Sequence, residues 1–131
     1  MLRVMMKSKI HRATITQAEL HYEGSLTIAA ELMRAADILP YEMVHVYNVS
    51  NGNRFETYAI EGEENSGVIC LNGAAARKGA PGDLIIITTY ATYEGAELQE
   101  HRPTVILVDQ HNHLRSSASA EKPLAFFSVS S

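Results

Sequence analysis

One cysteine, no basic excess, no long apolar run and few helical signals mark this chain of 131 residues. The single cysteine, Cys70, cannot close an internal disulfide, which fits a reducing cytoplasm. No apolar run approaches the ~20 residues of a membrane span. Arg3, Lys7 and Lys9 interrupt the first nine residues, so they lack the apolar core of a secretory leader, and none is expected. The net charge of −4 argues against a nucleic-acid binder, which carries a basic excess. No repeat or linker divides the chain, and 46% hydrophobic with 20% charged residues is ordinary for one globular domain.

What is present is mostly strand. Arg3 to Thr16 alternates with period two and is rich in β-branched residues. Residues 42–49 put Met43, His45, Tyr47 and Val49 on one face and Val44, Val46 and Asn48 on the other. Asn51-Gly52 signals a hairpin, with 54–61 as the returning strand. Residues 67–71, 83–90 and 104–109 are short apolar runs suited to buried strands. Thr27–Ala36 reads as a helix with a capping residue, and 74–78 and 94–100 as single turns. Many short strands suggest a small closed β-barrel over residues 1–110. From His111 the pattern fades, which predicts a flexible C-terminal tail over 111–131, with 124–127 able to dock. Asp109, His111 and His113 alternate without a further ligand, so a polar tail is preferred to a metal site. Cys70 reads as a small buried hydrophobe.

Gly24-Ser25, inside His21-Tyr22-Glu23-Gly24-Ser25-Leu26, admits two readings. A chain this long carries about 0.6 Gly-Ser pairs by chance, and a turn or helix cap would account for one. The other reading is chemical. A serine hydroxyl can attack the preceding carbonyl and turn the amide into an ester. Glycine leaves that carbonyl unshielded and tolerates strained angles. β-Elimination then releases the acyl group and leaves dehydroalanine, which hydrolyses to a pyruvoyl group at a new N-terminus. That ketone can condense with an amine and serve as an electron sink.

Four blocks bear on the choice: Lys9-Ile10-His11-Arg12; His21 to Ser25; Tyr47 to Tyr58; and Leu71-Asn72-Gly73-Ala74-Ala75-Ala76. In this order, over residues 1–109, they resemble the pyruvoyl-dependent aspartate decarboxylase family, which makes β-alanine for pantothenate synthesis. The resemblance implies a mainly β fold, a double-psi β-barrel with a few short helices, and a homotetramer with sites between neighbouring subunits. It implies cleavage between Gly24 and Ser25 and a covalent pyruvoyl cofactor from Ser25. It gives Thr57, with Tyr22 assisting, a part in self-processing, and Tyr58 the part of proton donor. Arg54, Thr57, Gly73, Ala74 and Ala75 would bind the substrate, L-aspartate. A guanidinium suits the retained carboxylate, and Lys9 and His11, two apart on one strand face, would make a wall positive. Tyr47 stands where the family commonly has tryptophan. The sequence leaves open another amino-acid substrate and an uncut binding module. A serine hydrolase is disfavoured, because no G-x-S-x-G elbow surrounds Ser25. Whether a partner protein assists maturation is also open.

Overall fold

The computed structural model describes residues 1–115. Its strands are β1 Leu2–Thr14, β2 Gln17–Glu19, β3 Ser25–Ala29, β4 Met43–Asn48, β5 Arg54–Gly62, β6 Ile69–Asn72, β7 Leu84–Glu94 and β8 Thr104–Leu107. Two short α-helices, α1 Ala30–Ala35 and α2 Gly95–Leu98, and a 3-10 helix, Gly73–Lys78, complete the mainly β fold. No described helix is long and apolar enough to cross a membrane.

The strands pair in the order β2-β6-β3-β5-β4-β7-β1-β8. β2 lies at one end of that order and β1 next to the other, yet only Ile15 and Thr16 separate them in the chain. The three Cα–Cα steps from Thr14 to Gln17 span at most ~11 Å. The sheet must therefore curl until its ends meet, which is barrel-like. Ile15 helps tie the ends: its N–H donates to Asp83 O at 2.9 Å, while Thr16 N–H donates to Ile69 O at 2.8 Å. Alternation decides what fills the interior. Val44, Val46, Ile85, Ile87 and Ile10 are fully buried, while their strand neighbours His45, Tyr47 and Lys9 face outward.

The expected helix over 27–36 is shorter than its sequence suggests. Thr27 and Ile28 lie in β3, paired with Cys70 and Ile69 on one side and Ile60 and Glu61 on the other. Two β-branched residues with strands on both flanks gain more from the ladder than from a helical turn. The helix starts at Ala30, capped by Ala29 without a side-chain bond.

Residues 111–115 are exposed except for Asn112, which ties the start of the expected tail to the barrel. Asn112 is fully buried. Its Oδ1 accepts from Thr14 N–H at 2.8 Å, and its Nδ2 donates to Thr14 O and Gly67 O, each at 2.8 Å. Asp109 Oδ1 accepts from the His111 and His113 N–H groups, which folds the turn. The rest of the expected tail, 116–131, lies outside the described residues.

Candidate active site

Ser25 opens β3 directly opposite Asn72 at the end of β6. Both are buried. Asn72 Nδ2 donates to Ser25 Oγ and to Thr27 Oγ1, each at 2.9 Å. The Ser25 hydroxyl has only a long contact of 3.5 Å to Glu23 O in the other direction. The hydroxyl is thus held by an amide donor beside the carbonyl of the residue before it.

Glycine matters here, but not where the sequence places the demand. Gly24 has no positive φ, and a Cβ there would meet nothing within 4 Å. The tight spot is Gly73, at φ +63°, where a Cβ would come within 2.7 Å of Gly24 N and Tyr22 O. Gly73 presses the backbone of residues 22–24 into place because it has no side chain. It opens the 3-10 helix that carries Ala74 and Ala75, with Gly73 and Ala75 buried and Ala74 exposed.

β5 runs parallel to β3 with Leu26 beside Ala59. The pairing starts there, so Tyr58 and Thr57 precede the paired stretch on β5 as Ser25 and Gly24 precede it in the chain that enters β3. Thr57 faces buried Val44 across the β4–β5 ladder, and Tyr58 faces exposed Met43. The two side chains leave opposite faces, as strand alternation requires. Tyr22 is 64% exposed and, with Glu19, Thr27, Cys70 and Asn72, lines a hollow of about 380 Å³.

Arg54 stands on the outer face. Its guanidinium lies 4.3 Å from the centre of the Tyr47 ring, and Tyr47 and Tyr90 share a hydroxyl–hydroxyl bond of 2.8 Å. Burial would raise the Tyr47 phenol, but hydrogen bonds from its neighbours and the Arg54 charge outweigh it and lower the pKa. Arg54, Tyr47, His45 and Glu56 border a hollow of about 200 Å³. Lys9 and His11 alternate with buried Ser8 and Ile10 and so share the outer face of β1. His11 Nδ1 is buried with no partner among the described residues. Burial first, then Lys9 and Arg12, lowers the His11 pKa, so the ring is neutral near pH 7.

One chain therefore brings Ser25 to Asn72 and Gly73 to Gly24 and Tyr22, sets Thr57 and Tyr58 just before the paired stretch of β5, and leaves Arg54, Lys9 and His11 apart. Arg54 lies four residues from Tyr58 along β5, about 13 Å of strand. Lys9 and His11 are three strands from Arg54 on the ladder β1-β7-β4-β5, about 14 Å. Asn72 is the residue that sequence reasoning missed. It stands in the quoted Leu71-Asn72-Gly73 block, but its role comes from cross-strand pairing with Ser25, 47 positions away.

The fold and this site define a small curled β-domain with a buried hydroxyl–amide cluster where a strand begins. The family described as aspartate decarboxylase matches residues 1–115. An aspartate 1-decarboxylase of Syntrophobacter fumaroxidans is 67% identical over 112 residues, covering 86% of this chain and 90% of that protein. Those of Syntrophus aciditrophicus and Myxococcus xanthus are 58% and 54% identical, covering 88% and 94% of this chain and 99% and 95% of theirs. The chain belongs to the aspartate decarboxylase family.

Proposed function

We propose that this chain is a carboxy-lyase that converts L-aspartate to β-alanine and CO2, supplying pantothenate synthesis in the cytoplasm. It would first cut itself between Gly24 and Ser25 to make a covalent pyruvoyl group. The observation that carries this reading is the Ser25 hydroxyl, buried and held at 2.9 Å by Asn72, beside a Gly24 backbone pressed by Gly73. In self-processing, Ser25 Oγ adds to the Gly24 carbonyl carbon and the C–N bond breaks, with the proton passing to nitrogen. Loss of the Ser25 α-proton and cleavage of Cβ–Oγ then release the Gly24 carboxylate. Thr57, two residues before the start of the β3–β5 pairing as Gly24 is on the other chain segment, is suited to polarise that carbonyl. The Asn72 amide donates to the oxygen on which charge grows.

The residues around position 25 fit a pyruvoyl group, because it would derive from Ser25 itself, whose buried polar atom already has the Asn72 amide as a donor. That group supplies an electron sink for the α-carboxylate's departure. The chain's own residues bind and protonate. Arg54 pairs with the retained side-chain carboxylate, and Lys9 and His11 add positive and polar groups to that wall. The backbone at Gly73, Ala74 and Ala75 orients the substrate, and the Tyr58 phenol delivers a proton to the α-carbon. Separation of Arg54 from Ser25 within one chain supports a homotetramer in which a neighbour completes each site. The exposed apolar residues Val4, Met43 and Tyr41 support such packing.

The test is intact mass joined to turnover. The parent chain splits into a fragment ending at Gly24 and one starting at the pyruvoyl residue, and it releases CO2 from aspartate rather than glutamate. Ser25→Ala stays whole and inactive. Turnover by a chain still intact at this junction refutes the reading.

A further inference from the structure

Cys70 has no part in the chemistry above, yet it touches the residue that holds the nucleophile. It lies two positions before Asn72 on β6, so both side chains leave the same face. Its Sγ is 3.2 Å from Asn72 Oδ1, while Asn72 Nδ2 is 2.9 Å from both Ser25 Oγ and Thr27 Oγ1. Cys70 and Thr27 are themselves direct partners across the β3–β6 ladder, as are Asn72 and Ser25. The four side chains form one quartet, with Ser25, Cys70 and Asn72 buried and Thr27 half-buried.

A carboxamide has two orientations that exchange its oxygen and its NH2. The Ser25 and Thr27 hydroxyls can each donate or accept, so they accommodate either. Packing does not decide between them, because Asn72 borders the 380 Å³ hollow. The thiol does discriminate. Its S–H can donate to the amide oxygen, whereas sulfur accepts poorly from an N–H.

We infer that Cys70 is a positioning residue for self-cleavage, whose thiol fixes the Asn72 carboxamide with its NH2 toward Ser25 Oγ. The inference rests on the self-processing reading above. With the amide so held, an N–H donor faces Oγ as it passes from hydroxyl to ester oxygen to the oxygen of a departing carboxylate. In the attack, charge gathers on the Gly24 carbonyl oxygen; at Oγ it develops in the elimination, as the carboxylate departs. A flipped amide would set the negative end of its dipole there instead. Burial, aided by the Glu19 carboxylate, raises the Cys70 pKa and keeps the thiol protonated as a donor.

The experiment follows cleavage of freshly synthesised precursor over time by intact mass. It compares the parent with Cys70→Ser, Cys70→Ala, Cys70→Thr and Cys70→Val. The hydroxyl variants cleave within about threefold of the parent. Ala and Val are slower by about fivefold to tenfold, the worth of one net hydrogen bond. Thr and Val match in shape, so that pair decides the matter even if the Ala variant folds poorly. In an Asn72→Ala background, Cys70→Val adds no further slowing, because the group it orients is gone. Equal rates for Thr and Val, or a full additional loss in the Asn72→Ala background, overturn the inference. A parent that splits while the Val variant keeps pace overturns this inference alone. A parent that never splits overturns the self-processing reading and this inference with it.

Discussion

At the scale of single residues, backbone room and protonation state each set a testable limit. Gly73 holds φ +63° and lies against Gly24 and Tyr22, so an added methyl has nowhere to go. Gly73→Ala should push residues 22–24 away from Asn72, slow precursor cleavage at least about tenfold, and cost ~1–3 kcal/mol of stability. Timed intact mass and denaturant titration would show both, and a variant that cleaves normally would remove Gly73 from the scissile geometry. His11 gives a pH signature. Its folded-state pKa lies below the ordinary imidazole value because burial, Lys9 and Arg12 all disfavour the cation. The unfolded chain therefore takes up a proton that the folded chain resists. Stability should decline as pH falls below about 6.5, toward the lowered folded value. His11→Gln should remove that component, visible as a flatter melting temperature between neutral and mildly acidic pH. Ser25, Arg54 and Tyr58 were legible as candidates from residue type and sequence block. Asn72 as a hydroxyl holder was not, because nothing in the order of residues shows which strands become neighbours.

At the scale of elements, the closure of the sheet depends on a side chain in what reads as a tail. Asn112 bonds to both backbone groups of Thr14 and to Gly67 O, joining the end of β1 to the loop before β6. Gly67, at φ +72°, leaves no space for a Cβ beneath His111. Asn112→Ala would leave one buried and two part-buried backbone groups without this partner and should cost roughly 1–3 kcal/mol, measured by denaturant unfolding. Truncation after residue 110 should do the same, whereas a flexible 111–115 segment would make both changes neutral. Strands were legible wherever alternation or a β-branched run was long, as in β1, β4, β5 and β7. The hairpin was legible at Asn51-Gly52, where Gly52 alone takes positive φ. β2 was not, because three residues carry no period. The start of α1 was misread for a related reason: Thr27 and Ile28 suit a cap or a strand, and only partners on both sides decide. Asp109 and His113 are exposed as their polarity suggests, but Asn112 looks solvated until its hydrogen bonds are known.

At the scale of the whole molecule, one chain places Ser25 and Arg54 at the starts of different strands, β3 and β5. Ser25 sits at the buried start of β3, and Arg54 stands on the outer face about 13 Å along β5 from Tyr58, more than a four-carbon dicarboxylate can bridge. If a neighbour supplies Arg54 to each Ser25, the exchange is either reciprocal across a two-fold axis or head-to-tail around a closed ring. Two inactive variants should then rescue each other. Ser25→Ala lacks the nucleophile but keeps Arg54, and Arg54→Ala keeps the nucleophile but lacks the guanidinium. Co-expressed in equal amounts and assembled at random, about one quarter of sites would pair an intact Ser25 with an intact Arg54. Aspartate turnover near one quarter of the parent's, with each variant alone near zero, is the expected result. A mixture as inactive as its parts would mean that both residues serve a site within a single chain. The strand would then have to bend far from the register seen here for the two to meet.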